Sequence, residues 1–438
     1  MEEEKTTNAT NKNKKLILAI IITVIAVFIF GILIVYQTRT AMAIVEARAF
    51  AEAEAERIEL VIDNNLTKAE RLFQGYYYDE AIELLKSDPS IISDTTDDAI
   101  TLKIAEIESA KASLVKYEGA IHHIFFHSLI VYPELAFDNK GHPAQGYNMW
   151  MTTVSEFKKM LPSLHERGYV LYALGDYVEN NPEKPGNIKL KDIYLPPGKM
   201  PLVISIDDVN YYDYMKPDGF ANRLVIGDDG RVWTEVITPK GEVTVTRDGD
   251  VMPILDDYVA EHPDFSFRGA KGTMAVTGYQ GALGYRITDD LPEEEEWKKT
   301  VKEIADIMKE DGWTFACHSY THNRYFRENI TLAQMKYDTD RWIEKIAPYV
   351  GRTNLYISPF GVLFKNNDPR YRYIIEQGYN VYCPVGNGKS IKVNSDNIVM
   401  HRVNLDGYTM YGRPDEMEKY YYSVPEVKDP ARPPLMIQ

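Results

Sequence analysis

Apolar and polar positions along this chain fall into three textures. Residues 16–36, LILAIIITVIAVFIFGILIVY, contain no charge and are long enough to cross a bilayer as one helix. Residues 41–116 are rich in Ala and Glu, with apolar residues at helical spacing, and predict a helical stalk. Within it, Ala69, Leu72, Gly75, Tyr77, Ala81 and Ile82 fit one tetratricopeptide-like hairpin. That stretch reads as a spacer or as a docking module for a protein partner.

From residue 117 to 438 short apolar runs alternate with amphipathic helices. AIHHIFFHSLIV (residues 120–131) reads as an opening strand, followed by the helix TVSEFKKMLPSLHERG, with Thr152 or Thr153 near its start and Gly168 at its end. PLVISID is a buried strand. Three further helices feed the strands WTFACH, NLYISPFG and YNVYCPV, and NIVMHRVNL closes the series. Repeated helix-to-strand alternation implies a parallel sheet. The polar residues that follow the strands sit where (β/α) barrels keep their sites. Residues 220–249 break the rhythm. Asp229-Gly230 and Lys240-Gly241 punctuate alternating runs there and predict an inserted β-hairpin or meander. TGYQGALGYR (residues 277–286) reads as a loop that lines a groove.

Charge refines this layout. Lys5, Lys12, Lys14 and Lys15 precede the apolar run and only Arg39 follows closely. This predicts a cytoplasmic tail (1–15), a membrane anchor (16–36) and an exported remainder. AMA at residues 41–43 offers the rival of a cleaved signal. The net charge of −16 argues against nucleic acid as a partner, since no basic surface replaces counterions. Two cysteines, Cys317 and Cys383, exclude a disulfide framework, leaving one bridge or two buried thiols.

The chemistry concentrates in two places. ACHSYTH holds His318 and His322, four apart, and PLVISIDDVN ends in Asp207 and Asp208. Two imidazoles and one carboxylate form the open-sided set of a catalytic divalent site, with the neighbouring carboxylate free to act as base. A metal there would polarise a carbonyl and lower the pKa of its water. Ser319 stands where a zincin has its glutamate, and no Gly-x-Ser-x-Gly elbow is present. His127, within the opening run, is ambiguous and reads first as a satisfied core histidine near the barrel mouth.

These residues resemble the motifs of polysaccharide deacetylases, the carbohydrate esterase family 4 domain. Asp207-Asp208 resemble its acidic pair and HSYTH its His-Ser/Thr-x-x-His motif. SPFG (residues 358–361) is similar to the end of its third motif, HSLI (residues 127–130) to its opening strand, and VMH (residues 399–401) to its final Leu-x-His. The resemblance covers residues 120–407. It implies a distorted (β/α) barrel that removes acetyl groups from N-acetylated sugars of a polysaccharide such as peptidoglycan. Asp207 would be the base, Asp208, His318 and His322 the metal ligands, and His401 the general acid. The backbone N–H of Phe360 would face the oxyanion. Zinc is the default ion for this set, with cobalt, manganese or nickel also compatible. Two features depart from the family. Ile357 stands where the third motif has the arginine that orients the base, and the fourth motif has no counterpart. The rival reading is a catalytically weak or inactive glycan-binding protein of the cell envelope.

Overall fold

The computed structural model describes residues 2–87, 97–184, 186–288, 291–327 and 329–435. The chain forms two compact units, Met1–Glu70 with Asp79–Ala105, and Arg71–Tyr78 with Glu106–Gln438.

In the first unit, residues 16–36 lie in the helix Glu2–Gln74, and their large apolar side chains are all exposed. The helix is long and apolar enough to span a membrane. The helix Tyr78–Lys86 follows, and Ala69, Ala81, Leu85 and Ile100 are buried. Part of the expected stalk, residues 88–96, lies outside the described residues.

The second unit is mixed α/β and is built on one curled sheet. Its strands run in the order Ile391–Val393, Ile398–Met400, Val381–Cys383, Leu355–Ile357, Thr314–Cys317, Thr273–Val276, Met200–Ile206, His122–Phe126, Val403–Asn404. Every pairing along that path is parallel except the first. The central strands are buried on both faces, which is why they read as continuous apolar runs rather than alternating ones. The far edge of Met200–Ile206 is shared. Tyr169–Leu171 takes its first half and Thr273–Met274 its end.

The two ends of the sheet belong to one short stretch of chain. Ile398 and Val399 pair with Val381 and Tyr382, whereas Val403 and Asn404 pair with Ile124 and Phe125. NIVMHRVNL is therefore not one strand. It breaks at His401-Arg402, where Arg402 bridges to Val385. The opening strand is also shorter than its apolar run, ending at Phe126.

Helices cover the outside. Thr153 is the N-cap of Val154–Glu166 and forms a reciprocal capping box with Glu156. Thr331 and Gln334 do the same for Leu332–Lys345. Trp342 is fully buried and donates from Nε1 to the Val276 carbonyl at 2.8 Å, fastening that helix to the sheet. Residues 220–249 contain three antiparallel strands, Ala221–Ile226, Val232–Ile237 and Val243–Thr246, which form a separate small sheet. Cys317 and Cys383 are separate buried thiols, so the bridge is not formed. Burial pushes the Cys383 thiol up to about 12, which keeps it protonated and inert.

Candidate metal centre

The residues of interest follow the C-terminal ends of neighbouring strands. Met200–Ile206 delivers Asp207 and Asp208, Thr314–Cys317 delivers His318, and Leu355–Ile357 leads into residues 358–361. Turns, not helices, present the side chains. Asp208, Ser319, His322 and Phe360 all take left-handed backbone angles, with φ of 57°, 66°, 42° and 54°. Such angles are costly for residues with a Cβ and persist where the surrounding structure enforces them. Asp338 is one enforcer. Its buried carboxylate accepts the backbone N–H groups of Tyr320 and Thr321, each at 2.8 Å, and the Thr321 hydroxyl at 2.7 Å. Gly361 is another. A Cβ there would meet the Val385 side chain at 2.4 Å, so only glycine lets these two segments approach.

Asp208 Oδ1 lies 3.7 Å from Nε2 of both His318 and His322, and Tyr212 donates its hydroxyl to the same oxygen at 2.8 Å. The three donor atoms are within 4.8 Å of one another. His318 is buried, and its Nδ1–H donates to the Ile357 carbonyl at 2.7 Å. That bond fixes the tautomer and leaves the Nε2 lone pair facing Asp208. Burial brings the His318 imidazole down to about 4 despite the nearby Asp207 and Asp208, so it is neutral at pH 7. Burial pushes the Asp208 carboxyl up. The imidazoles of His322, His318 and His127, with the Tyr212 hydroxyl, outweigh it and bring the group down to about 2. A neutral His318, the His322 imidazole and an ionised Asp208 carboxylate, converging with one tautomer fixed, fit a divalent cation.

Asp207 is turned differently. Arg402, fully buried, donates from Nη1 to Asp207 Oδ1 at 2.6 Å. Its guanidinium also donates to the Cys383 carbonyl at 3.2 Å and lies over the Phe125 ring at 4.0 Å. Asp207 Oδ2 faces His318 Nε2 at 3.9 Å. One carboxylate oxygen is thus tied to a fixed cation while the other looks toward the cluster. Ile357 contributes its backbone carbonyl to His318, and the guanidinium on Asp207 comes from the break between Ile398–Met400 and Val403–Asn404.

Phe360 stacks on His322, with ring centroids 4.5 Å apart. His401 is elsewhere. It lines a hollow of about 330 Å³ with Leu363, Tyr371 and Lys392, and its ring rests on Gly386. Among the described residues no hydrogen bond, ion pair or ring contact joins its side chain to Asp207, Asp208, His318 or His322. The break in the closing strand turns Arg402 toward Asp207 and His401 toward Gly386.

Sequence reasoning misjudged His127. Its Nδ1 is buried with no hydrogen-bond partner, so it is not a satisfied core histidine. It acts electrostatically on Asp208, and on the buried Asp406, which burial pushes up to about 6. Its place just past Phe126, at the end of a strand next to the one that carries Asp207, emerges only in the fold, because the apolar run continues through it in the sequence.

No family model and no curated protein matches the chain. Among solved structures it is similar to polysaccharide deacetylases. The deacetylase PplD of Streptococcus pyogenes in complex with acetate is 15% identical, with a TM-score of 0.35 over 68% of this chain and 98% of that one. A polysaccharide deacetylase from Bacillus cereus is 12% identical, with a TM-score of 0.36 over 68% and 69%.

Proposed function

We propose that this chain is a metal-dependent hydrolase that removes N-acetyl groups from a glycan outside the cell, anchored by residues 16–36. The observation that carries the reading is the pairing of two differently held carboxylates. Asp208 converges with His318 and His322, while its neighbour Asp207 is gripped by Arg402 and keeps one oxygen toward the same space.

In this reading Asp208, His318 and His322 hold the divalent ion, most simply zinc. When bound there, such an ion polarises an amide carbonyl and makes an adjacent water more acidic. Asp207 Oδ2 takes the proton from the attacking water, and Arg402 keeps the carboxylate oriented. The Phe360 N–H faces the oxygen that gains charge. The C–N bond then breaks, and the amine nitrogen must gain a proton as acetate leaves. We assign that proton to His127 rather than His401. His127 shares the electrostatic surroundings of Asp208, and one of its ring nitrogens is committed to no protein partner.

The test is acetate release by the full chain in detergent from oligomers of N-acetylglucosamine, with zinc or cobalt added. Release is expected from the native chain with one ion per molecule. It is expected to vanish in His318→Ala together with the ion, and in Asp207→Asn with the ion retained. A native chain that binds the ion and releases no acetate from these oligomers or from peptidoglycan would leave the glycan-binding alternative standing in its place.

A further inference from the structure

The hollow that holds His401 takes no part in the reaction proposed above. Its volume of about 330 Å³ is of the size that small-ligand sites have. Three segments build it. The edge strand Ile391–Val393 runs antiparallel to Ile398–Met400, and Lys392 stands opposite Val399. Cross-strand partners share a face of a sheet, so Lys392 and Val399 line the same side, and His401 follows two residues after Val399. The stretch after Gly361 adds Phe364, Lys365 and Asn366, and the helix Pro369–Glu376 adds Tyr371. Phe364, Tyr371 and Val399 are buried and form an apolar floor, whereas Lys365 and Lys392 are exposed.

The chain carries a net charge of −16, yet this hollow is lined by two lysines and no carboxylate. The acidic residues closest along the chain are matched by other cations. Arg372 donates to Asp396 at 3.2 and 2.5 Å, and Arg370 donates to Asp368 at 2.9 and 2.6 Å. Among the described residues no ion pair or hydrogen bond engages the side chain of Lys365 or Lys392. Two uncompensated cations on one concave surface hold a positive potential there. The wall behind them is fixed. Asn397 is fully buried. Its oxygen accepts the Tyr371 hydroxyl at 2.8 Å and the Asn394 amide at 2.7 Å. Its own amide donates to Asp396 at 2.8 Å and to the Asn366 oxygen at 3.1 Å. Asn366 thus presents its oxygen to Asn397, and its NH2 has no protein acceptor among the described residues. The His401 ring also makes no hydrogen bond among them. It occupies space that a side chain at residue 386 would take, since a Cβ on Gly386 would meet His401 Nδ1 at 2.1 Å. The hollow therefore gathers two ammonium groups, an imidazole and an amide NH2, all able to donate. A tetrahedral oxyanion accepts from several directions at once, and lysine meets it as a point charge.

We propose that this hollow binds a phosphate ester. Lys365, Lys392, His401 and Asn366 hold the phosphate, and Phe364, Tyr371 and Val399 take the carbon skeleton attached to it. A carboxylate, with its single charge, would leave one of the two ammonium groups unmatched. The apolar floor sets an ester apart from inorganic phosphate, which has no carbon to place against it. Among the described residues no hydrogen bond, ion pair or ring contact joins these four donors to Asp208, His318 or His322. The site stands or falls independently of acetate release.

The experiment titrates the full chain in detergent, freed of metal by a chelator so that no ion in the cluster competes for phosphate. Calorimetry follows inorganic phosphate, glycerol 3-phosphate and the diester glycerophosphoglycerol. The esters are expected to bind with Kd of about 1 mM or tighter, and more tightly than inorganic phosphate. Lys365→Ala and Lys392→Ala should each weaken ester binding about ten-fold, and the double variant about 100-fold. Lys392→Arg should keep most of the affinity. Lys240→Ala, at an exposed hairpin turn, and His318→Ala should change nothing. Thermal melts identify any alanine variant that has lost its fold, and Lys365→Gln and Lys392→Gln then decide. No binding of any of the three ligands overturns the proposal and leaves Lys392 as a guard of the sheet edge. So does binding that survives the double variant, binding lost with Lys240→Ala or His318→Ala, or inorganic phosphate held as tightly as the esters. A tighter monoester supports a free small molecule as the ligand, and a tighter diester supports a link within a polymer.

Discussion

Arg402 and Asp207 form a fully buried ion pair at 2.6 Å, joining the break in the closing strand to the end of the central strand Met200–Ile206. The guanidinium is 0% exposed and has carbonyl and aromatic partners on its other sides, so it has one conformation available. Removing it strands a buried carboxylate. We expect Arg402→Met to lower stability by about 3–5 kcal/mol and to abolish acetate release. The Arg402→Met, Asp207→Asn double variant should recover much of the stability and none of the activity. Thermal melts and acetate assays on the two variants check both halves. Equal stability of Arg402→Met and the native chain would show that the pair does not constrain Asp207.

The two candidate proton donors separate cleanly by mutation. His127→Gln should lower kcat by about 10²–10⁴-fold, the usual range for a lost general acid, while metal content stays unchanged. His401→Gln should alter kcat little, because its side chain lies in the hollow beside Lys392 rather than in the cluster. A loss confined to His401→Gln would return the role to that residue. The readout is kcat at saturating substrate, beside a metal count for each variant.

These two residues also mark how far the sequence was readable. The parallel helix-to-strand alternation was legible because strands buried on both faces appear as uninterrupted apolar runs, such as PLVISI. Asp207, Asp208, His318 and His322 were legible because each sits within a few residues of such a run. The short strand Thr273–Val276 was not, since four residues after a glycine carry no period. Arg402 was harder still. Only the fold shows that a guanidinium from the break between Ile398–Met400 and Val403–Asn404 reaches Asp207. His127 was misread because a histidine after a strand looks the same in sequence whether its ring nitrogen is satisfied or orphaned. After the strand that ends at Cys317 the backbone is a turn, with Ser319 and His322 left-handed, and His318 and His322 converge for that reason.

Asp338 should matter to the ion without touching it. It is the common acceptor for Tyr320 and Thr321, and the turn between His318 and His322 has no other buried carboxylate holding it among the described residues. Asp338→Ala leaves the half-buried N–H groups of Tyr320 and Thr321 without this acceptor. The expected result is a zinc affinity about 10–100-fold weaker, the effect of losing a supporting contact behind a metal ligand. Asp338→Asn keeps one acceptor oxygen and should fall between the two. Competition with a chromogenic chelator measures the series, and unchanged affinity in Asp338→Ala would mean the turn holds its shape unaided.

The pH dependence of the site follows from its two depressed groups. Burial holds His318 at about 4, and the histidine surroundings bring Asp208 to about 2 in spite of burial. A proton and a divalent ion compete for the same His318 Nε2 lone pair, so acid weakens binding through this residue only where the proton binds. From pH 7 down to about 5 His318 should therefore leave the ion's affinity untouched, and the loss should set in as pH falls through 4. Folding shows a different window. In the unfolded chain the imidazole protonates near pH ~6.5, so that state binds more protons between there and 4. Stability contributed by neutral His318 is present above the unfolded value, falls as pH drops across this window, and is level below it. The difference in melting temperature between the metal-free native chain and His318→Gln isolates that contribution from the buried carboxyls Asp250 and Asp406. Both are raised to about 6 by burial and push the balance the opposite way as pH falls. Nitrogen NMR of labelled histidine reads the same group directly. A His318 imidazole that titrates above pH 6 in the metal-free chain would contradict the buried, carbonyl-anchored tautomer on which the ligand set depends.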